Sequence, residues 1–424
     1  MKGFAGNRCF MKILWVKAGG LVPPDTGGKI RSYNILRELA RRHPVTFFSF
    51  YAAHDPDIHG DLKNVFERVV TIPLKIPAAK SFAEMREYGV RLLSTEPYGI
   101  TKYCRTEVRR ALHALLGQNR YDVILCDFMA AAGVIPWDSP TPKVLFTHNV
   151  EATIWRRHHE VSSNAIWKAI SWLEWRKMEA AERRYLRLAN RVLTVSETDR
   201  DAFASFLSRE KLTVIPTGVD VEYFQPTAEL EAANSLVFTG SMDWLPNEDA
   251  IFYFVDSILP LIKLQCPGVS LKVVGRSPSR KLQALAETEK SIRLTGWVND
   301  IRPFVARGAV CIVPLRIGGG TRLKIFEAMA MGKAVVSTSV GAEGLAVRSG
   351  ENIVLADTPK DFAESVISLL RDDNRRQKLG AAARTLVQEN YSWAKVADDF
   401  ARTLQEVVIR ANPAGIQKAK DSTL

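Results

Sequence analysis

Short runs of apolar, often β-branched residues alternate along the whole chain with longer segments whose apolar positions recur at helical spacing. KILWV (12–16) leads into IRSYNILRELARR (30–42), whose apolar residues share one face of a helix that must end before Pro44. VTFFSF (45–50), VILC (123–126), VLFT (144–147), RVLTV (191–195) and LTVI (212–215) continue the series. Strands this short and this continuously apolar are covered on both faces, so the pattern predicts a parallel sheet between layers of helix. The stretch FQPTAELEAANS (224–235) interrupts the rhythm. A second series then follows in LVFTG (236–240), VSLKVVG (269–275), IRLTG (292–296), AVCIVP (309–314) and AVVST (334–338). The expected fold class is α/β, with two doubly wound, Rossmann-like domains at 1–225 and 226–390. Residues 391–424 hold an amphipathic helix (391–408) and a polar tail. In such sheets ligands bind beyond the carboxyl ends of the strands, so the loops that follow them are the places to look for chemistry.

Length and composition agree with this division. The 424 residues are 46% hydrophobic and 25% charged, a globular profile that excludes disorder and small disulfide scaffolds. The net charge is +12, and it is uneven: residues 1–225 carry 33 basic and 24 acidic side chains. The first half is therefore the half suited to an anionic surface, against the plainer reading of a solvated basic face. Five cysteines without C-x-x-C or metal-ligand spacing point to a reducing, cytoplasmic setting. No run approaches the roughly 18 apolar residues needed to cross a bilayer, and the first residues lack a secretory signal pattern. Met11, directly before the first strand, is an alternative start to Met1.

The segment VPLRIGGGTRLKIFEAMAMGKAVVST (313–338) is the richest in chemistry. Three glycines follow a strand, Thr321 is placed to cap a helix, and Gly332 ends it. Amides near Gly319, Gly320 and Thr321, with the cations Arg322 and Lys324, would cradle a diphosphate without a metal. A glycine turn that only lets helix and strand pack is the alternative. Glu327 lies within this apolar helix and requires a partner, either the two hydroxyls of a ribose or a neighbouring Arg. His148, just after VLFT, is placed to contact a sugar or transfer a proton, or to fix the following helix through Asn149 or Glu151. The segment 153–191 carries Trp155, Trp167, Trp172 and Trp175 among many Lys and Arg. That suits an interfacial helix or stacking on single-stranded nucleic acid, unless the indoles fill the core.

From Lys12 to about Val408 the sequence resembles the family 4 (group 1) glycosyltransferases of GT-B fold. The resemblance is carried by DTGGK (25–29), FTHN (146–149), LTVSETD (193–199), VIPTGVDVEYFQP (214–226), VFTGSMDWLPNEDA (237–250), VVGRSPS (273–279), LTGWVNDI (294–301) and GGGTRLKIFEAMAMGKAVV (318–336). It implies two domains facing across a cleft, with the C-terminal helix crossing back to the first. The implied activity is retaining, metal-independent transfer of a hexose from a UDP- or GDP-sugar, with no cofactor. The implied acceptor is a lipid-linked or cell-surface polysaccharide precursor, and contact with the inner face of an anionic membrane follows from it; nucleic acid gains no support.

By the same resemblance Glu327 holds the donor ribose, Gly27 and Gly28 approach diphosphate and acceptor, and His148 contacts the transferred sugar. Gly296, Trp297 and Val298 receive the base, and Gly240, Arg276 and Leu323 complete the donor set. His148, Arg322 and Lys324 stand as the catalytic candidates. The chain departs from the family at three positions: Gly319 replaces its first glutamate, and Ser241 and Asn247 replace its usual cation pair. Arg322, Lys324 and Arg276 are the residues expected to compensate. An NAD-dependent oxidoreductase is disfavoured because KAGGLVPPDTGGK lacks G-x-G-x-x-G, and a P-loop fails at Pro23 and Ile30. A catalytically silent relative that binds nucleotide-sugar or glycan, or a nucleotide-sugar epimerase, remains the alternative.

Overall fold

The computed structural model describes residues 10–24, 26–53, 60–78, 81–162, 164–317 and 323–411. The chain forms two compact units, one from the N-terminus to Pro216 plus the chain from Val396 onward, the other Thr217–Lys395. In the first, seven strands run in the order β3-β2-β1-β4-β5-β6-β7. They are β1 (Ile13–Ala18), β2 (Val45–Ala52), β3 (Arg68–Leu74), β4 (Val123–Asp127), β5 (Lys143–Phe146), β6 (Arg191–Thr194) and β7 (Leu212–Val214). The second holds six, β8 (Ser235–Thr239), β9 (Ser270–Val274), β10 (Ile292–Leu294), β11 (Val310–Val313), β12 (Ala334–Ser337) and β13 (Val354–Leu355), in the order β10-β9-β8-β11-β12-β13. Neighbours pair parallel throughout, as in the registers Ile13↔Val45, Ile13↔Val123 and Val310↔Leu236.

Two strands, β3 and β13, were not legible in the pattern, and both are edges. β3 is partly exposed along most of its length and contains Pro73, which an edge strand tolerates because one row of its amides has no sheet partner. β13 is only two residues long. The central strands are continuously buried: Leu14, Val16, Ile124, Cys126 and Leu145 belong to one core, and Phe238, Val273, Ile312 and Val336 to the other.

Strand order reverses between β1 and β4 in the first sheet and between β8 and β11 in the second, which places the ligand crevices at the carboxyl ends of those pairs. The C-terminal helix Trp393–Ala411 enters the first unit from Val396. There Phe400 stacks on Trp15 with ring centroids 5.6 Å apart and meets Phe146 edge-on at 5.3 Å. Ion pairs of Arg42 with Asp398 and of Arg191 with Glu406 flank this seam. The four described cysteines are free thiols. Among the described residues no helix is long and apolar enough to cross a membrane.

Candidate functional site

At the first switch point a buried polar cluster closes the ends of β1 and β4. Trp15 and Lys17 sit two residues apart on β1 and so share one face of the strand. Both reach Asp127 at the end of β4: Trp15 Nε1 donates at 3.0 Å and Lys17 Nζ at 2.9 Å to Oδ2. His148 Nε2 lies 2.8 Å from Asp127 Oδ1, and Arg31 donates to His148 Nδ1 at 2.7 Å. Because a guanidinium only donates, Nδ1 is the acceptor and Nε2 carries the proton toward Asp127. Both ring nitrogens of His148 are thus engaged, and the residue is 3% exposed. Burial pushes its pKa down to about 3, against the pull of Asp127, so the ring is neutral at ordinary pH. Burial alone would raise the Asp127 carboxyl, but the Lys17 ammonium and the His148 bond hold it well below the usual carboxylate range. Burial likewise lowers Arg31 to about 10.

Phe128, the residue after β4, has φ 71°, a left-handed backbone uncommon for an aromatic. That turn lays its ring flat on His148, with centroids 3.7 Å apart and planes 5° from parallel, and under Lys17 Nζ at 4.5 Å. The tip of the ring meets Gly28, where a Cβ would fall 2.4 Å from Cζ. Gly28 is therefore required for close approach, while the space around Gly27 is open. Thr26, Lys17, Lys29 and Phe128 line a cavity of about 340 Å³ outside these strand ends. Sequence reading missed Lys17, Arg31, Asp127 and Phe128. For two of them a signal was present: a charged residue closing an otherwise apolar, buried strand, as in ILWVK and VILCD, implies a partner at the strand end.

In the second unit the loops after β8, β9 and β10 converge through glycines. A Cβ on Gly275 would lie 1.7 Å from the Gly240 carbonyl oxygen, and Gly275 bridges to Gly296. Gly240 N donates to Val274 O at 2.9 Å, locking the first two loops together. Beside Gly240, Lys324 Nζ donates to Asn247 Oδ1 at 2.6 Å and lies 4.0 Å from the Phe238 ring centroid. Arg276 Nε donates to Ser241 Oγ at 3.0 Å, and Ser241 Oγ to Asp243 at 2.6 Å. Lys324 and Arg276 thus rest on the two side chains, Asn247 and Ser241, that stand where a cation pair was expected. Trp297 is 69% exposed and Val298 is half-buried against the core.

Leu323 opens the described part of the helix Leu323–Ala330, which ends as expected at Gly332, φ 68°, with Lys333 N donating to Ala328 O at 3.0 Å. Gly319, Gly320, Thr321 and Arg322 lie outside the described residues. Glu327 is half-buried, and among the described residues no hydrogen bond or ion pair reaches its carboxylate. Burial raises it to about 7, with Lys324 opposing. A partly desolvated, unpaired carboxylate one turn along the helix from Lys324 is an acceptor awaiting donors. Among the described residues no three His, Cys, Asp or Glu side chains cluster as a metal set.

The four tryptophans of the 153–191 segment fall on the helices Glu151–Val161 and Ala165–Leu188. None is core: Trp167 and Trp172 are exposed, Trp155 and Trp175 intermediate. The helix Phe82–Arg91 is likewise turned outward. Phe82, Met85, Val90 and the following Leu93 are exposed at helical spacing, while Glu87 pairs inward with Arg91 and Arg105.

Two family profiles match, "Glycosyltransferase Family 4" over residues 26–223 and "Glycosyl transferases group 1" over residues 233–372. An uncharacterized protein in the cps region of Klebsiella pneumoniae is 21% identical over 299 residues, 68% of this chain and 75% of its own. A phosphatidyl-myo-inositol mannosyltransferase of Mycobacterium tuberculosis is 29% identical over 206 residues, 46% of this chain; the chain spans 53% of that protein's length. Among solved structures, sucrose-phosphate synthase of Thermosynechococcus elongatus superposes with a TM-score of 0.69 at 19% identity over 94% of this chain and 99% of that one. Anabaena HepE, solved with UDP and glucose, gives 0.63 at 16% over 93% and 99%.

Proposed function

This chain belongs to the family 4, group 1 glycosyltransferases and carries their GT-B fold, and we propose that it transfers a hexose from a nucleotide-sugar, UDP- or GDP-linked, to a lipid-linked or cell-surface polysaccharide precursor. The observation that carries the reading is the unpartnered Glu327 carboxylate, one helical turn beyond Lys324, whose ammonium sits beside Gly240 in the glycine-joined loops. Lys324 and Arg276, held by Asn247 and Ser241, supply positive charge for the departing diphosphate where the family's cation pair is missing. The reaction retains configuration and uses no metal or cofactor; the diphosphate leaving group takes the acceptor proton on the face it departs from. The relatives named for inositol lipid glycosylation support a polyol-bearing acceptor.

Incubation with a panel of nucleotide-sugars, with product analysis and chelator, tests this. Transfer that survives the chelator is expected. Donor turnover with no glycoside product would favour an epimerase, and donor binding without turnover would favour a silent glycan-binding relative.

Contact with an anionic membrane is a second reading, favoured by the exposed stripe Phe82, Met85, Val90 and Leu93, with Arg86 among them, and by Trp167 and Trp172. Apolar side chains would enter the headgroup region while the basic surface meets anionic lipid. Co-sedimentation with phosphatidylglycerol vesicles that weakens from low to high salt is expected; no binding at low salt refutes it.

A further inference from the structure

The C-terminal helix brings one apolar stripe into the first unit. Val396, Phe400, Leu404 and Val407 recur at helical spacing along Trp393–Ala411, and all four are buried. Phe400 packs on Trp15, whose side chain leaves β1 on the face opposite Leu14 and Val16. Parallel pairing sets Lys17 beside Asp127 and Asp127 beside Phe146, so these three close that same face of β1, β4 and β5 in one row. Trp15 stands two residues before the row on its strand.

Phe400 spans this row. Its ring stacks on Trp15 with centroids 5.6 Å apart and planes 22° from parallel, and meets Phe146 edge-on at 5.3 Å; Trp15 and Phe146 meet each other edge-on at 6.4 Å. All three rings are fully buried. Two of them reach His148: Phe146 directly, with centroids 4.3 Å apart, and Trp15 through Asp127. An indole N–H donates in the plane of its ring, so the stacked Phe400 face fixes the direction in which it points. Asp127 is fully buried and takes its bonds from Trp15, Lys17 and His148. At a position closed to solvent, water does not replace a lost donor, and the carboxylate turns toward those that remain.

We propose that Phe400 and Trp15 are positioning residues for sugar transfer: the phenyl face orients the indole, the indole N–H orients the Asp127 carboxylate, and Asp127 in turn holds the His148 ring and the Lys17 ammonium. This rests on the transferase reading above and on His148 acting in it, and it makes the C-terminal helix part of what supports that histidine. Both rings are sealed from solvent, so they act through Asp127 and not by contact with a substrate. What they preserve is one plane and one tautomer of His148, with Nε2 donating to Asp127 and Nδ1 accepting from Arg31. A histidine free to turn would spend part of its time with the wrong nitrogen protonated, and misplacement on the scale of 1 Å costs rate far more than it costs binding elsewhere in the chain.

Trp15→Phe keeps a buried ring and removes the Nε1 donor; Phe400→Leu keeps apolar volume and removes the flat face. Val407→Ala, about two turns further along the same helix, is the packing control. Turnover is measured with a panel of UDP- and GDP-hexoses, UDP affinity by calorimetry, and the His148 ring nitrogens by NMR of the full chain carrying nitrogen-15 histidine, assigned by their loss in His148→Gln. In Trp15→Phe and Phe400→Leu, kcat should fall about 10- to 100-fold while donor KM and UDP affinity stay within about twofold, and the His148 Nε2–H signal should shift or broaden. Val407→Ala should lower the melting temperature and leave kcat and the His148 signals in place. Unchanged kcat in Trp15→Phe, or His148 signals unmoved in both variants, overturns the inference, and so does an equal loss of kcat in Val407→Ala, which would reduce the effect to packing. Where Phe400→Leu fails to fold, Trp15→Phe decides. No turnover by the wild-type chain with any donor of the panel sinks the transferase reading, and the His148 spectrum then decides by itself whether the two rings hold the histidine.

Discussion

Replacing Glu327 tests the donor site most directly. Its carboxylate has no partner among the described residues, and burial holds its pKa near 7. In the ionised form it would accept from two ribose hydroxyls. A hydrogen bond to a charged group contributes about 1.5–3 kcal/mol, and part of that is offset because Glu327→Ala also removes a poorly solvated charge from the free protein. The expected net effect is UDP affinity weakened about 10- to 100-fold. The pH dependence follows with a definite sign. With a pKa of about 7, roughly a tenth of the carboxylates are ionised at pH 6 and nine tenths at pH 8, so wild-type affinity for UDP rises about tenfold over that range. Glu327→Gln flattens the profile. Stability moves the other way: the folded-state pKa lies above the ordinary 4.5, so Glu327's contribution is fully present below 4.5 and is lost as pH rises through 7. Glu327→Gln therefore melts higher than wild type at pH 8, which distinguishes a binding defect from misfolding. Calorimetry with UDP at pH 6, 7 and 8 decides. Wild-type and Glu327→Ala affinities within about twofold of each other, with a flat pH profile, would refute the ribose role.

Three further outcomes are expected. Gly275→Ala places a Cβ 1.7 Å from the Gly240 carbonyl oxygen, and backbone cannot step aside as a side chain can. It should cost about 3 kcal/mol or more and abolish UDP binding, read by chemical denaturation and calorimetry; a near-normal denaturation midpoint contradicts the converging-loop geometry. Gly28→Val drives a methyl into the Phe128 ring, which His148 already backs, at about 1–3 kcal/mol, with a loss of acceptor turnover that Phe128→Ala in the same chain should partly restore in stability. His148 has a folded-state pKa of about 3 against 6.5 when free, so its contribution to stability is full above 6.5 and is lost as pH falls from there toward 3. The urea midpoint should decline between pH 7 and pH 5 and decline less in His148→Gln, whose amide can donate to Asp127 and accept from Arg31.

The strands that sequence showed are the central ones, β1, β2, β4, β5, β6, β8, β9, β11 and β12, whose burial on both faces leaves a continuous apolar signature, together with the short apolar edges β7 and β10. β3 and β13 escaped it: β3 is a partly exposed edge interrupted by Pro73, and β13 is an edge of only two residues. The same limit applied to the sites. Gly332, Glu327 and Lys324 were visible as punctuation or charge within one helix, a local relation. The contacts of Lys324 with Asn247 and of Arg276 with Ser241 join residues 77 and 35 positions apart, and no local pattern encodes them.

The sequence by itself determined the two-unit α/β plan, the family, and the carboxylate and glycines proposed for the donor, because periodicity and turn chemistry act over a few residues. Only the tertiary structure decided that His148 is a neutral ring clamped between Arg31 and Asp127, that Phe128 covers it, and that Phe400 stacks on Trp15. Charge, burial and protonation state are set by neighbours brought together from distant strands, and those neighbours exist only once the parallel sheet has aligned the ends of β1 and β4.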